Sequence, residues 1–400
     1  MAGIKKSGKT TYSLESMIGQ VIILGNHIQG LGISRIVSRL GYKVILFNQS
    51  SISVARFSNT CSKFIKFRDL NHLLDLLLNF NSEGNKALIF PTNDLLVGFL
   101  SDNYDKLSEK FVLSISRKEI TDIAYNKRNT YETARKAGIP IPRSFYPDTL
   151  EELENLEKNL EYPVIIKPAV MYHFYKKAGK KVFLCRNRDE LFLNYALALK
   201  IIPANEVIIQ EMLQGGASKL YSFASYAKDG HVYGSFIANR IRQKPMDFGV
   251  ATTFAKSVIS EKIDELARKF LLSIRYSGVS EVEFMFDDKS GNFKLIEINP
   301  RTWKWHTMSN RIGINLIKML IDDLNGKEIK EHHNTIENIG WIEQLTDTFI
   351  VISEILKGRM SLKDYLKSIR IPKEYATWDR KDPLPAIMYI LLSPYFYFIR

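Results

Sequence analysis

The sequence has little cysteine: among its 400 residues, only Cys61 and Cys185 carry a thiol. Two cysteines provide neither a disulfide framework nor the paired spacing of a zinc site, and they suit a reducing compartment. The N-terminus also lacks the apolar segment of a secretory signal. These absences predict a cytoplasmic protein, and 400 residues are enough to bury a sizeable core.

Acidic residues are scarce relative to basic ones, with 43 Asp and Glu against 56 Lys and Arg and a formal net charge of +13. Such a balance points to an anionic partner: a nucleic acid, a membrane surface, or small anions such as nucleotides. The sequence has no zinc-finger spacing and no aromatic RNA-binding motif, and its basic residues are spread along the chain. A nucleic-acid partner is therefore not predicted.

Glycine-rich nucleotide motifs are missing or misplaced. The glycines between positions 25 and 32 do not form G-x-G-x-x-G, so the dinucleotide fingerprint is absent. The octapeptide GIKKSGKT at 3–10 has the letters of a P-loop, but no strand precedes it to hold the loop. Residues 1–19 are predicted to be a flexible tail, and nucleotide binding through Lys9 is kept as a separate hypothesis.

An α/β pattern is present along most of the chain. The apolar runs VIIL and KVILF flank a segment with helical spacing, which predicts a βαβ unit and a parallel sheet within residues 20–120. Asp94 follows another strand, where it would be either a helix N-cap or a ligand group at the carboxyl edge of the sheet. Residues 121–330 mix strands and helices in an α+β pattern, and residues 331–400 are predicted to form a helical, basic tail.

Acidic side chains concentrate in a predicted hairpin between Val279 and Asn299. Because side chains alternate along a strand, a register that pairs Glu283 with Glu297 also places Glu281 beside Asn299. The opposite face is predicted to be apolar: Val282, Phe284, Phe286, Ile296 and Ile298. Carboxylates opposite one another are unfavourable unless the face is wet or holds a cation, and Mg²⁺ accepts such oxygens. A solvated face and a metal site both fit this pattern.

In this order the motifs resemble the ATP-grasp superfamily, and within it the carboxylate–amine ligase branch that includes carbamoyl phosphate synthase large-chain domains and D-aspartate ligase. The similarity covers about residues 20–325. It implies an N-terminal Rossmann-like pre-ATP-grasp domain (20–120), a first ATP-grasp lobe (121–205), a second lobe with the metal site (206–330) and the helical tail (331–400).

The resemblance also implies ligands and site residues, with ATP and Mg²⁺ (or Mn²⁺) as cofactors. The family's lysine positions and adenine hinge match six residues: Lys127, Lys167, Gln210, Glu211, Met212 and Leu213. Its metal ligands match Glu283, Glu297 and Asn299. The motif EINPR is the strongest match, and its Arg301 corresponds to an arginine that contacts phosphate.

Two features depart from the family pattern. The glycine-rich phosphate loop is replaced by AVMYHFYKKAGKKVF at 169–183, where Gly179 is the only glycine. Phosphate contacts would then come from the side chains of His173, Lys176 and Lys177. The alternative is that this segment is simply an exposed basic loop. An acidic contact to ribose is also missing after the hinge, where the sequence offers Ser218 and Lys219.

Members of the family phosphorylate a carboxylate, and an amine, ammonia or thiol then attacks the acyl phosphate. Arg240 and Arg242 lie two apart on a predicted strand, so both are expected to face one side and to hold that carboxylate; a solvated strand face is the competing interpretation. Trp303, Trp305 and His306 either line the substrate pocket or pack in the core.

The last segment, DPLPAIMYILLSPYFYFIR at 382–400, is apolar but interrupted by prolines, which argues against a spanning helix. It is expected to pack on the protein. A homodimer contact and a peripheral contact with an anionic membrane remain open, the latter aided by neighbouring basic residues: Arg370, Lys373, Arg380 and Lys381.

The sequence thus predicts an ADP-forming ligase that joins a small-molecule carboxylate to an amine. The alternative is an ATP-grasp-fold nucleotide-binding module without turnover, acting as a sensor or a docking protein. The missing glycine-rich loop and ribose acid motivate this alternative. The fold does not specify the acid or the amine.

Overall fold

The computed structural model describes residues 17–82, 84–246, 249 and 251–395, apart from the side chains of Tyr172 and His173. The octapeptide GIKKSGKT, with Lys9, lies outside the described residues. Within the described part, the strands form three sheets.

The N-terminal domain is a parallel sheet with the strand order β3-β2-β1-β4-β5 and an apolar core on each face. Its elements are β1 (Ile18–Leu24), α1 (Ile28–Arg39), β2 (Lys43–Asn48), β3 (Lys63–Lys66), α2 (Leu70–Leu78), β4 (Lys86–Pro91), α3 (Asp94–Asp102), α4 (Tyr104–Ser108) and β5 (Phe111–Leu113). Gly25 ends β1 at φ 88°, and a Cβ there would lie 2.1 Å from Oγ1 of Thr92. The predicted βαβ unit and parallel sheet are confirmed.

The small lobe is an antiparallel sheet in the order β6-β9-β7-β8. Two helices precede it, α5 (Lys118–Tyr125) and α6 (Lys127–Lys136). The lobe itself comprises β6 (Ser144–Phe145), α7 (Leu150–Glu157), β7 (Val164–Pro168), α8 (Met171–Ala178), β8 (Phe183–Cys185), α9 (Arg188–Leu199) and β9 (Val207–Glu211).

The boundaries predicted for the first lobe, 121–205, need correction at both ends. Strand β9 pairs with β7, so the small lobe extends to Glu211. Helix α6, in contrast, contributes Tyr131 to the core of the large lobe, which is described next. There Tyr131 packs in one cluster with Phe223 and Phe284. The sequence pattern showed these elements, but it did not show which sheet each one joins.

The large lobe is a mainly antiparallel sheet in the order β14-β13-β10-β11-β12-β16-β17, with β15 beside β11. Its elements are β10 (Leu220–Lys228), β11 (His231–Lys244), β12 (Ala251–Val258), α10 (Glu261–Ser273), β13 (Gly278–Asp287), β14 (Asn292–Asn299), α11 (Met308–Ile312), α12 (Leu316–Leu324), β15 (His332–His333), β16 (Gly340–Ile342), α13 (Gln344–Leu356), α14 (Leu362–Ser368), β17 (Lys373–Tyr375) and α15 (Leu384–Leu391).

The C-terminal region is not the purely helical tail that was predicted. Strand β16 pairs with β12 and carries the fully buried Trp341, and β17 extends the sheet by one further strand. In α15, Ala386 and Tyr389 are buried, as expected for packing on the protein. None of the described helices is long and apolar enough to cross a bilayer.

The aromatic residues after β14 belong to the core. Trp303 and Trp305 are buried and pack on Phe236 of β11, in the same cluster as residues of α1. His306 is buried beside them, and burial lowers its pKa to about 4. Of the two interpretations of this segment, core packing is the one that the structure supports, and the cluster joins the N-terminal domain to the large lobe.

Candidate active site

A cleft of about 310 Å³ lies between the small-lobe sheet and the β13–β14 hairpin. Strands β7 and β9 supply one wall, and β11, β13 and β14 supply the other. Its lining includes polar residues, Lys127, Lys167, Lys181, Gln210, Glu211, Arg240, Glu283 and Glu297, and apolar ones, Met212, Leu213, Met285 and Ile296.

The hairpin has the register that its alternating sequence predicts. Glu283 lies opposite Glu297, and Glu281 lies opposite Asn299. The amide of Asn299 donates a hydrogen bond of 3.0 Å to Glu281. The three side chains of the predicted metal set therefore lie close together, but the amide nitrogen of Asn299 faces the carboxylates while its oxygen accepts a hydrogen bond from Arg301. Asn299 would have to turn its amide to join Glu283 and Glu297 as a ligand.

A β-bulge next to this pair changes the predicted apolar face. The register shifts between Glu283 and Phe284, so that Ile296 has no partner residue on β13. Ile296 lines the cleft, whereas Ile298 is buried in the core. The prediction that Ile296 and Ile298 share a face is wrong, because the extra residue of a bulge interrupts the alternation.

Basic side chains hold the carboxylates of the cleft. Lys127 contacts Glu297 at 2.8 Å, and Arg240 contacts Glu283 at 2.8 Å. Burial would raise the pKa of Glu297, but the charges of Lys127 and Lys181 outweigh it and hold that pKa well below its usual range. Glu297 is therefore ionised at neutral pH.

The carboxyl group of Glu281 is in a different electrostatic state. It is buried beside Glu283, and the two effects together raise the pKa of Glu281 to about 8. Within the described part of the chain, its Oε1 has no hydrogen-bond partner. At neutral pH a pKa of about 8 favours the protonated form of Glu281, which lies beside Asn299 with one oxygen that has no partner among the described residues.

Lys167 and Lys127 approach the cleft from the small lobe and from α6. Nζ of Lys167 donates to the hydroxyl of Tyr131 at 2.6 Å, and burial together with the charge of Lys127 lowers its pKa to about 7. Lys127 directly follows Asn126, which caps α6 through the N–H groups of Arg128 and Asn129. The cap fixes the helix start and so directs Lys127 at Glu297.

Sequence reasoning missed Lys181 and selected Lys176 instead. Residues 171–178 form α8 rather than a loop, and Lys176 is exposed on this helix, away from the lining of the cleft. Gly179 ends α8 at φ 66°, after which Lys181 lines the cleft. Burial lowers the pKa of Lys181. The available signal was a glycine after a helical stretch, which is typical of a helix C-terminus.

Arg240 and Arg242 do not face the same side, contrary to the prediction. The β11–β12 register is irregular between these two residues. Arg242 is buried and binds both carboxylate oxygens of Asp347 at 2.8 Å, and it also donates to Oγ of Ser368. Its guanidinium joins α13 and α14 to β11 and is absent from the lining of the cleft.

Arg301 lies behind the carboxylate face and links it to the N-terminal domain. Its Nε donates to Asp94 at 2.7 Å, and its other nitrogens donate to Asn299 and to the carbonyl of Thr302. The cap of α3 is Asn93 rather than Asp94, so the N-cap interpretation of Asp94 is wrong. Asp94 instead orients the arginine that was predicted to contact phosphate.

The predicted adenine hinge follows β9 at the edge of the cleft. Gln210 donates to Oγ of Ser144, and Glu211 is paired with Lys294. Met212 and Leu213 present apolar side chains to the cleft. A flat apolar ligand would fit between these two residues and the opposite wall, where Met285 and Ile296 also line the cavity.

The donor set suits a hard cation. Among the described residues, no cluster of three His, Cys, Asp or Glu forms a ready metal site. Two carboxylates and one amide oxygen are nevertheless the ligand types that Mg²⁺ takes when substrate phosphates and water complete its shell. The orphaned oxygen of Glu281 leaves additional acceptor capacity at the same face.

Comparison with known proteins agrees with this geometry. Residues 126–331 match the family model "Carbamoyl-phosphate synthase L chain, ATP binding domain". D-aspartate ligase of Enterococcus faecium is 24% identical over 61% of this chain and 60% of its own length. The carbamoyl phosphate synthase large chain of Clostridium acetobutylicum is 21% identical over 74% of this chain and 27% of its own length. The chain thus spans less than two thirds of these relatives.

Solved structures show the same fold. The biotin carboxylase domain of 2-oxoglutarate carboxylase from Hydrogenobacter thermophilus, a dimer in complex with MgADP, ADP and bicarbonate, superposes with a TM-score of 0.64 at 18% identity, covering 80% of this chain and 72% of that one. N5-carboxyaminoimidazole synthetase from Staphylococcus aureus, complexed with ADP, superposes with a TM-score of 0.64 at 17% sequence identity. The match covers 85% of this chain and 86% of that one. The ATP-grasp architecture predicted from the sequence is confirmed, and the chain belongs to the family of the carbamoyl-phosphate synthase L chain ATP-binding domain.

Proposed function

We propose that the protein is an ADP-forming ligase that activates a small-molecule carboxylate with ATP and passes it to an amine. One observation carries the proposal: Glu283 and Glu297 share a single cleft with three lysines, the buried Lys167 and the half-buried Lys127 and Lys181. Such a site neutralises a polyphosphate from two sides. A site that only stores an anion has no need for the paired carboxylates, whose mutual repulsion costs free energy.

Each group in the cleft has a role in this proposal. Lys127, Lys167 and Lys181 bind phosphate oxygens and offset the charge that develops during phosphoryl transfer. Glu283, Glu297 and Asn299 would hold Mg²⁺, which would offset the negative charge of the phosphates. Met212 and Leu213 provide an apolar surface for the base.

The proposed reaction has two steps. A carboxylate oxygen of the substrate attacks the γ-phosphorus of ATP, the bond to the β-phosphate oxygen breaks, and ADP leaves. The amine nitrogen then attacks the acyl carbon, phosphate leaves, and the nitrogen loses a proton. Arg240 is proposed to position the substrate carboxylate, because it is the guanidinium that lines the cleft beside the metal set. Exclusion of water by the two lobes protects the acyl phosphate.

Nucleotide binding also requires an exchange of partners. Lys127 and Arg240 now contact Glu297 and Glu283. When phosphates and a cation arrive together, each basic group gains an anion and each carboxylate gains a metal, so no charge is left uncompensated. This arrangement favours a catalytic site that binds metal and nucleotide as a unit, and it weighs against the sensor alternative.

A hydroxylamine trap tests the proposal without knowledge of the amine. The full chain is incubated with Mg-ATP, hydroxylamine and pooled carboxylic acids, and both phosphate and hydroxamate are measured. A ligase gives equal, acid-dependent amounts of the two products. Glu297→Gln is expected to abolish both, whereas Glu154→Gln, an exposed carboxylate on α7, leaves them unchanged. Tight binding of Mg-ATP with no acid-dependent phosphate release would favour the nucleotide-binding module instead.

A further inference from the structure

Helices α13 and α14 form a surface that the proposed reaction does not use. The outer side of α13 carries Phe349, Ile352 and Leu356, and the outer side of α14 carries Leu362 and Leu366. These five side chains are 41% to 82% exposed. Monomeric proteins rarely leave a contiguous group of large apolar side chains in water without a binding role.

The two helices are fixed to the body of the protein. Asp347 near the start of α13 and Ser368 at the end of α14 both accept hydrogen bonds from Arg242. The inner sides of both helices therefore contact the same buried guanidinium group. Five residues, 357–361, connect the helices, and Arg242 holds both of them against β11, which keeps their exposed sides near one another on the surface.

The chemistry of the outer side is apolar and basic together. Three exposed leucines of this segment are each followed by an exposed lysine, in the pairs Leu356-Lys357, Leu362-Lys363 and Leu366-Lys367. Residues 354–370 contain five basic residues and two acidic ones, one of which, Glu354, is contacted by Lys357 and Arg359. Leucines that enter the acyl boundary while lysines meet lipid phosphates are the pattern of an interfacial helix.

We propose that α13 and α14 bind the surface of an anionic lipid bilayer. The charge distribution selects this occupant over a second copy of the chain, because a symmetric dimer would bring the basic residues of both copies together. The overall charge of +13 also attracts the protein to an anionic surface. The proposal does not depend on ligase activity.

Vesicle co-sedimentation of the full chain tests the proposal. Binding is measured on phosphatidylglycerol–phosphatidylcholine vesicles and on pure phosphatidylcholine vesicles, with the oligomeric state determined in parallel by analytical ultracentrifugation. We expect binding to the anionic vesicles, weakened by salt, and little binding to the neutral ones. Equal binding to both vesicle types, or no binding to either, would overturn the proposal.

Two triple variants separate the electrostatic contribution to vesicle binding from the apolar contribution. Lys357→Gln/Lys363→Gln/Lys367→Gln is expected to weaken binding about 100-fold, at about fivefold per lysine. Leu356→Ser/Leu362→Ser/Leu366→Ser is expected to weaken it by a similar factor because the apolar contact is lost.

The matched control for these variants is Leu193→Ser/Leu197→Ser, which removes two exposed leucines from α9 in the small lobe. It should bind like the parent protein, and circular dichroism should show the same folded state for all variants. Binding that both triple variants retain would overturn the proposal. A second outcome would also overturn it: the parent protein is a dimer, the leucine variant is a monomer, and neither binds vesicles. The surface would then be a contact between two copies of the chain.

Discussion

The pair Arg242–Asp347 offers a direct test of the difference between a structural and a chemical arginine. Both side chains are almost fully buried, at 1% and 0% exposure, and two hydrogen bonds of 2.8 Å join them. Thr253 donates a further bond to Asp347. Removing one partner of such a pair leaves an uncompensated buried charge, which costs about 3–5 kcal/mol.

We therefore expect Asp347→Ala and Arg242→Met each to lower the free energy of unfolding of the large lobe by about 3–5 kcal/mol. The double variant Arg242→Met/Asp347→Leu removes both charges and should recover most of that loss, since an apolar pair of similar volume is often as stable as the ions it replaces. Lys262→Met, which breaks an exposed ion pair with Glu265, should cost less than about 1 kcal/mol.

Urea unfolding followed by tryptophan fluorescence measures stability, because Trp341 is buried in the same sheet. Phosphate release with the substrate acid measures turnover on the same samples. If Arg242 is structural, the double variant recovers turnover together with stability. A double variant that is stable and inactive, or an Arg242→Met protein that is inactive at full stability, would refute this reasoning and restore the role that the sequence suggested for Arg242.

Three further outcomes are expected. Since the pKa of Lys167 is about 7 and phosphates favour its charged form, nucleotide binding at pH 8 should be accompanied by more proton uptake in the parent protein than in Lys167→Met. Calorimetry in buffers of different ionisation enthalpy measures this difference, and equal uptake by both proteins would contradict the expectation. Lys181→Met should weaken nucleotide binding about tenfold or more, because Lys181 lines the cleft. Lys200→Met, at an exposed position, should leave the affinity unchanged. Similar affinities for the two variants would mean that Lys181 does not bind phosphate. The pKa of Glu281 is raised to about 8 from an ordinary 4.5, so the folded state binds more protons than the unfolded state between these two pH values. Without metal, the free energy of unfolding should therefore fall as the pH rises from 4.5 to 8. Glu281→Gln should remove this decline.

The hairpin shows what alternation in a sequence can predict. Glu283 and Glu297 fall opposite one another as expected, because period-two spacing and the turn between the strands leave few registers open. Lys127 and Lys167 also lie in the cleft, where the family resemblance placed them. Local pattern was sufficient wherever neighbouring residues along the chain determined the geometry.

The failures occur where the geometry depends on distant residues. A bulge in β11 separates Arg240 from Arg242, and the partner of Arg242 is 105 positions away. Lys181 enters the cleft because α8 replaces a loop, which single-residue propensities do not reveal. Strands such as β16, three residues long, carry too little periodicity to be recognised, although tertiary pairing makes them part of the sheet.

The contact between Arg35 and Asp382 bears on how the chain folds during synthesis. Arg35 in α1 is buried and donates to the side chain and carbonyl of Asp382 and to the carbonyl of Thr377. These acceptors lie 342 to 347 positions later in the sequence. Arg35 therefore gains these partners only after nearly the whole chain has been synthesised, and this contact between the N-terminal domain and the C-terminal region forms late. Loss of residues 381–400 would remove α15 and Asp382 together, and it would consequently destabilise the first domain as well.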